Sequence, residues 1–192
     1  MISAVILAAG QHDDQNLFSL VHNKPVLHWV LESALASDLD EIVCVTRDLA
    51  AVRREIGLRD RRLCWFVNSA ADRGQSTSVI AGLWASHPQN EGVMFVAGDR
   101  MPVRKELINS LIAWFEQSAA LIVAPGFAGQ AGSPALFRRD LFPELLKLTG
   151  NYSERSLLER HAEKVALIES QEEFVLSRVT QNKSRARLKE SI

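Results

Sequence analysis

Four times in succession along this chain, a short run of apolar, β-prone residues is followed by a longer amphipathic stretch. Ala4, Val5, Ile6 and Leu7 form the first run, and a 3.6-residue pattern follows in Val26, Leu27, Val30, Leu31, Ala34 and Leu35. The pair returns as 42–46 before 49–56, 63–67 before 79–84, and 93–97 before 107–115. Continuous apolar runs of this length are typical of strands buried on both faces. Strands joined through helices run parallel, so a three-layer α/β domain with a largely parallel sheet is expected. A fifth strand-like run spans 119–124, after which Pro125, Gly126, Gly129 and Gly132 signal a loop or hairpin. Ala135, Leu136 and Phe137 are short enough for an edge strand, 141–148 and 156–161 are helical in pattern, and 165–168 reads as a return to the sheet. The second half is expected to decorate the first, giving one domain over 1–172. Residues 173–192 then form a basic tail or helix, in which Arg178, Lys183, Arg185, Arg187 and Lys189 have few apolar anchors.

Composition narrows the partners. A chain of 192 residues with 47% hydrophobic residues has enough apolar material for a sizeable core without disulfide or metal staples. Twenty-two Lys and Arg against 23 Asp and Glu leave a net charge of -1, which supplies no basic field for nucleic acid. Cys44 and Cys64 both sit in apolar runs and are expected to be buried thiols in a reducing compartment. The apolar start, 1–10, lacks a cationic region, and no stretch reaches the roughly 18 apolar residues of a membrane span. A cytoplasmic protein that binds a small molecule or a protein, with no nucleic acid and no membrane, is the expectation.

In open α/β sheets, ligands bind beyond the carboxyl ends of the strands. Leu7, Ala8, Ala9 and Gly10 place small residues at that edge, where a base or phosphate can approach the backbone closely. Five separated pieces carry a more specific signal. They are Val5-Ile6-Leu7-Ala8-Ala9-Gly10; Lys24-Pro25-Val26-Leu27; the run from Gly74-Gln75-Ser76-Thr77-Ser78 to Gly82-Leu83; Gly98-Asp99 at a strand end; and Gly132-Ser133-Pro134-Ala135-Leu136-Phe137 with Leu141-Phe142-Pro143 behind it. In this order they resemble the MobA-like nucleotidyltransferase family, and the whole chain looks closest to its molybdenum cofactor cytidylyltransferase branch.

The resemblance implies an α/β, three-layer Rossmann-like nucleotidyltransferase fold with a predominantly parallel mixed central sheet. It also implies a reaction in which a terminal phosphate of the acceptor attacks the α-phosphorus of a nucleoside triphosphate and pyrophosphate leaves. For the cytidylyltransferase branch the donor would be CTP and the acceptor molybdopterin cofactor, with Mg2+ screening the phosphates. The nucleotide would lie against Leu7, Ala8, Ala9, Gly10, Asn68, Gln75, Ser76 and Ser78, and the acceptor against Gly132, Ser133 and Pro134. Asp99 is the metal candidate, and Asp99 and Arg100 are the catalytic candidates. Thr77 and Ser78 are equally placed to cap a helix.

The chain departs from the family pattern where phosphate chemistry needs it most. After Gly10 it reads Gln11-His12-Asp13-Asp14-Gln15-Asn16, where the family places an arginine and then a lysine, so the phosphate-binding loop is degenerate and acidic. Lys24 matches a different family lysine. Asp99 is followed by Arg100, a cation beside the supposed metal site, and the second family aspartate falls on Val179. Gly132-Ser133-Pro134 replaces a glycine-histidine-proline, which keeps hydrogen bonding but loses imidazole chemistry. His12, Asp13, Asp14 and Asp99 form an alternative metal set. Two readings follow from these residues besides cytidylyl transfer. One is an inactive homologue that binds a nucleotide or the molybdenum cofactor, and the other is a partner in molybdoenzyme maturation.

Overall fold

The computed structural model describes residues 1–10, 16–100, 104–127 and 129–169. Along the chain run β1 (Ile2–Ala8), β2 (Leu20–Val21), β3 (Lys24–Pro25), α1 (Val26–Leu35), β4 (Glu41–Thr46), α2 (Leu49–Ile56), β5 (Leu63–Val67) and α3 (Gln75–Ala85). They are followed by β6 (Gly92–Ala97), α4 (Lys105–Gln117), β7 (Ile122–Phe127), β8 (Gln130–Ala131), β9 (Ala135–Arg138), α5 (Phe142–Leu145), α6 (Arg155–Arg160) and β10 (Val165–Glu169). The main sheet has the order β10-β7-β9-β6-β1-β4-β5, with β8 paired to β7. Pairings of β1 with β4 and β6, of β4 with β5, and of β10 with β7 are parallel, while β9 is antiparallel to both neighbours. This is the mixed, mostly parallel α/β sheet expected from the alternation of strands and helices.

The strands read as unbroken apolar runs because both faces of the sheet are covered. From β1, Ile2, Ala4, Ile6 and Ala8 pack into one layer with α1, α2 and α4, through Leu27, Leu31, Val52, Leu111 and Phe115. The alternate residue Val5 packs into the other layer with α3, α5 and α6, through Val79, Leu83, Leu145 and Leu157. Ser3 is the polar exception inside β1, and its hydroxyl donates to Glu41 Oε2 at 2.6 Å while accepting from Asn90 Nδ2 at 2.6 Å. Local signals end the helices. Asp48 accepts a hydrogen bond from the Ala51 N–H at 2.9 Å at the start of α2, and Gly57 closes that helix in the left-handed region, φ 64°.

Several local expectations are corrected. The 135–137 run lies inside the sheet and not at its edge: Leu136 is flanked by Met94 of β6 and Val123 of β7, and it is fully buried. The edge position goes to β10 on one side and β5 on the other. Cys44 is buried, and burial alone pushes its thiol far above the usual range. Cys64 is exposed, because β5 is an edge strand whose alternate residues escape the helical layers. The helical pattern over 141–148 resolves into a 3-10 turn, the short α5 and a turn at 146–147, with a separate turn beginning at Gly150. A small hairpin, β2–β3, turns through His22 and Asn23, both at positive φ as a two-residue hairpin turn requires. The basic tail lies outside the described residues, as do Gln11, His12, Asp13, Asp14 and Gln15.

Gly82 sets the distance between α3 and the sheet, since a Cβ there would lie 2.2 Å from Val5 Cγ1 and 3.2 Å from Val45 Cγ2. Alanine would gain about 1 kcal/mol in helix propensity, but the helix would have to lift off two fully buried side chains, at a cost of about 1–3 kcal/mol. Gly82→Ala is therefore expected to lower the urea midpoint despite its helix-favouring chemistry. An unchanged or higher midpoint would show that the sheet and α3 are not in the contact described.

Candidate functional site

The order β5-β4-β1-β6 reverses direction at β1: chain leaving β1 moves outward to β4 and β5, then returns to β6 on the other side. The carboxyl ends of β1 and β6 therefore flank the switch point at which doubly wound sheets bind ligands. Those ends are joined, because the Gly98 N–H donates to Leu7 O at 2.9 Å. A Cβ on Gly98 would meet that same oxygen at 3.0 Å and Ala8 Cβ at 3.1 Å, so glycine permits the approach. It brings Asp99 and Arg100 to the same rim as Ala9 and Gly10.

A cleft of about 800 Å³ opens there. Of the residues singled out in the sequence, Leu7, Ala9, Gly10, Gln75, Ser78, Asp99, Arg100, Gly132 and Ser133 line it. The pieces of the sequence signal thus converge from β1, α3, β6 and the β8–β9 connection, though they lie far apart in the chain. Ala8, Ser76 and Asn68 are buried behind the surface, each at 6% exposure or less. Pro134 follows Ser133 through a cis peptide and is likewise buried.

Asn68 is engaged in holding the wall. Its Nδ2 donates to Thr77 Oγ1 and to Ser78 Oγ, both at 3.0 Å, and its Oδ1 accepts from the Ala70 N–H at 3.0 Å. Both amide hydrogens are thereby committed, so Asn68 positions Ser78 at the cleft. Thr77 does not cap the helix N–H groups; its hydroxyl donates back to Gly74 O at 2.8 Å. Lys24 is turned to the protein as well, lying 3.4 Å from Glu32 and 4.6 Å from the centre of the Trp29 ring.

The segment before α6 supplies a wall that sequence reasoning did not assign to the site. Asn151, Ser153, Glu154, Arg155 and Leu158 all line the cleft. This wall is docked on the start of α3: Gly150 O accepts from the Ser76 N–H at 3.1 Å. Gly74 makes the docking possible, because its φ is 119° and a Cβ would lie 2.2 Å from Gly150 O. At the far end of α6, His161 Nε2 and Arg160 Nη1 each donate to Glu144 Oε2 at 3.1 Å, bracing α6 on α5. That hydrogen bond from His161, with Arg160 behind it, holds the Glu144 carboxyl below its usual range.

Among the described residues lining the cleft, the charged groups are Asp99, Arg100, Glu154 and Arg155. No ion pair joins Asp99 to Arg100 among the described residues, so the arginine is not consumed in neutralising its neighbour. Glu154 Oε2 is shut off from solvent and has no hydrogen-bond partner. Burial pushes this carboxyl up from its usual range, against the opposing effects of its own backbone N–H, the charges of Arg100 and Arg155, and the Ser153 hydroxyl. No group of three or more His, Cys, Asp or Glu that could hold a metal occurs among the described residues. A strand-end aspartate at a polar cleft still suits Mg2+, which usually takes one or two protein carboxylates and completes its shell with phosphates and water. No helix of the described residues is long and apolar enough to cross a membrane.

Residues 4–165 match the MobA-like NTP transferase domain. No curated protein matches the chain significantly. Among solved structures, Rv0371c from Mycobacterium tuberculosis superposes with a TM-score of 0.74 at 23% identity, over 88% of this chain and 87% of that one. A 4-diphosphocytidyl-2C-methyl-D-erythritol synthase from Anaerococcus prevotii gives 0.75 at 22% identity, over 98% and 96% of the two chains. A nucleotidyl transferase from Methanothermobacter gives 0.71 at 20% identity, over 90% and 88%. At these identities the likeness is one of fold.

If the Gly74–Gly150 contact holds the wall, Gly74→Ala carries two penalties: positive-φ strain and displacement of a packed backbone. Together they amount to about 2–4 kcal/mol. Gly150→Ala carries only the first, since nothing lies within 4 Å of its Cβ position. Chemical denaturation should rank Gly74→Ala well below Gly150→Ala, and equal losses would remove the contact from the account.

Proposed function

Since the chain belongs to the MobA-like NTP transferase domain family, we propose that its cleft binds a nucleoside triphosphate and transfers the nucleotidyl group to a phosphate-bearing acceptor. By the resemblance of its motifs, the donor is CTP and the acceptor molybdopterin cofactor. The observation that carries this reading is the convergence of three pieces on one cleft: the Leu7-to-Gly10 edge, the Gln75 and Ser78 face of α3, and Asp99 with Arg100. Small residues at the strand end admit the nucleotide to the backbone. Gln75 and Ser78 offer hydrogen bonds to it, and Gly132 and Ser133 stand where the acceptor would enter.

In the proposed reaction a phosphate oxygen of the acceptor attacks the α-phosphorus, the bond to the β-phosphate oxygen breaks, and pyrophosphate leaves with that electron pair. Asp99 would hold Mg2+, which when bound screens the phosphates and stabilises the developing charge. Arg100 and Arg155 are the described cleft cations, and they take the part that the family gives to its loop arginine and lysine: each can neutralise phosphate oxygens as pyrophosphate departs. The acceptor oxygen is itself the nucleophile, so no serine or cysteine is needed.

A second reading is favoured by Glu154, which adds a carboxylate to a cleft that would hold a polyanion. In that reading the protein binds a nucleotide or pterin cofactor, or a molybdoenzyme maturation partner, without transfer.

Thermal stability measured with CTP, GTP and ATP, with and without Mg2+, separates these readings when paired with a pyrophosphate-release assay in the presence of molybdopterin cofactor. The expected result is a Mg2+-dependent upward shift with CTP, together with release. A shift without release supports the second reading, and no shift with any nucleotide removes the transferase assignment. Arg100→Ala and Asp99→Asn should each reduce transfer by roughly 100-fold or more while leaving the melting temperature of the free protein within a few degrees.

A further inference from the structure

Strand β5 ends the sheet, and its outer edge is open. The Ile42 N–H donates to Arg62 O and the Asn68 N–H donates to Thr46 O, both at 2.8 Å. In a parallel ladder, residues two apart turn their backbone groups to the same side, so 62, 64, 66 and 68 serve β4. The N–H and C=O groups of Trp65 and Val67 therefore point away from the sheet, and no strand pairs with them among the described residues. An unpaired strand edge is a template for another strand.

One face of β5 is open as well. The helix between β4 and β5, α2, packs on one face of the sheet, and Trp65 is partly buried in that layer. The chain leaving β5 crosses back to β6, and Gly82 seats its helix, α3, on Val5 of β1 and Val45 of β4. Cys64 and Phe66 align with Val43 and Val45 and so share the α3 face, but the helix leaves them uncovered. Cys64 is exposed, and Phe66 is 39% exposed.

The charge beside this edge restricts what can pair with it. Residues 53–62 hold five arginines against two acids, in a chain whose net charge is -1. Arg62 is turned inward: its guanidinium donates to Leu39 O at 3.0 Å, to Ser37 O at 3.2 Å and to Leu35 O, and its N–H donates to Asp60 Oδ1 at 2.8 Å. That anchor fixes the turn before β5, on which Arg59 and Arg61 are exposed. Arg54 pairs with Glu55, whereas Arg53, Arg59 and Arg61 close no ion pair among the described residues. A second copy of the edge would bring the same excess of arginines into the contact, and the basic stretch 173–192 has the same sign. An acidic strand complements it.

We propose that the open edge of β5 binds an extended acidic segment of a partner protein as an added strand. Because side chains alternate across a strand, such a segment can set apolar residues against Cys64 and Phe66 and acidic residues on the side of α2 and its arginines. Main-chain bonds to Trp65 and Val67 supply affinity, and the arginines select for acid. The inference is independent of what the cleft binds.

The test is fluorescence anisotropy of a labelled peptide of alternating Glu and Val, titrated with the full chain. Three further peptides are compared: one with Lys in place of Glu, one N-methylated at every Val and one N-methylated at every Glu. The acidic peptide should bind, and should bind roughly 10-fold or more tightly than the lysine peptide. In an added strand only one alternate set of N–H groups faces β5, so one methylated peptide should lose at least about 10-fold in affinity and the other should keep it. Arg59→Glu combined with Arg61→Glu should weaken the acidic peptide by roughly 10-fold, while leaving the melting temperature within a few degrees, since both side chains are exposed. Failure of the acidic peptide to bind overturns the inference. So does equal binding of the lysine peptide, an equal response to the two methylation patterns, or indifference to the charge reversal. Sedimentation provides the remaining outcome: a dimer whose formation excludes the peptide gives the edge to a second copy and overturns the inference too.

Discussion

Strand β1 is hydrogen-bonded on both edges, to β4 and to β6, and covered on both faces, by α1 with α4 on one side and by α3 on the other. A strand enclosed in this way has no side surface on which to bind anything. Its only open approach is along its axis, at the end where the backbone leaves the sheet. The small residues from Ala8 to Gly10 matter for that reason: they lie where a ligand can reach the centre of the domain without displacing core. Gly82 and Gly98 serve the same constraint, one letting α3 close on Val5 and the other letting the end of β6 close on Leu7.

Two further contacts turn an open sheet edge into a cleft. Asn68 spends both amide hydrogens on Thr77 and Ser78, which fixes the start of α3. Gly74 then admits the backbone of Gly150 at a distance no other residue tolerates, and the chain from 151 to 158 becomes a wall docked on that helix start. That wall adds Glu154 and Arg155 to the lining that Asp99 and Arg100 share. A family resemblance that rests on strand-end and helix-start motifs therefore leaves two of the four charged groups among the described lining residues unaccounted for.

The sheet was largely legible in the sequence because strands buried on both faces leave continuous apolar runs, and the helices between them leave 3.6-residue patterns. The place of β9 was not. Ala135 to Phe137 is a three-residue apolar run, and nothing local distinguishes an edge strand from one inserted antiparallel between β6 and β7; that depends on pairing with Met94 and Val123. The β2–β3 hairpin leaves little trace in the sequence, because His22 and Asn23 are a weaker positive-φ signal than asparagine-glycine. Cys64 sits in an apolar run with Trp65 and Phe66, yet on an edge strand such neighbours do not seal a side chain. In the site, Gly10, Gln75, Ser78 and Asp99 were legible from their motifs. Glu154 was not, because a glutamate in an amphipathic stretch ordinarily faces water, and its burial follows from a contact between glycines distant in sequence.

The charge pattern of the cleft constrains how a nucleotide could lie in it. Among the described residues Asp99 and Glu154 disfavour phosphate, whereas Arg100 and Arg155 attract it. A triphosphate must then be drawn to the arginines and to cations it brings with it, while the electrically neutral base is the part that can accept a carboxylate as neighbour. Interior carboxylates are tolerable only where something repays their lost hydration. For Glu154 part of that repayment comes from the charges of Arg100 and Arg155, which oppose the rise that burial imposes on its carboxyl.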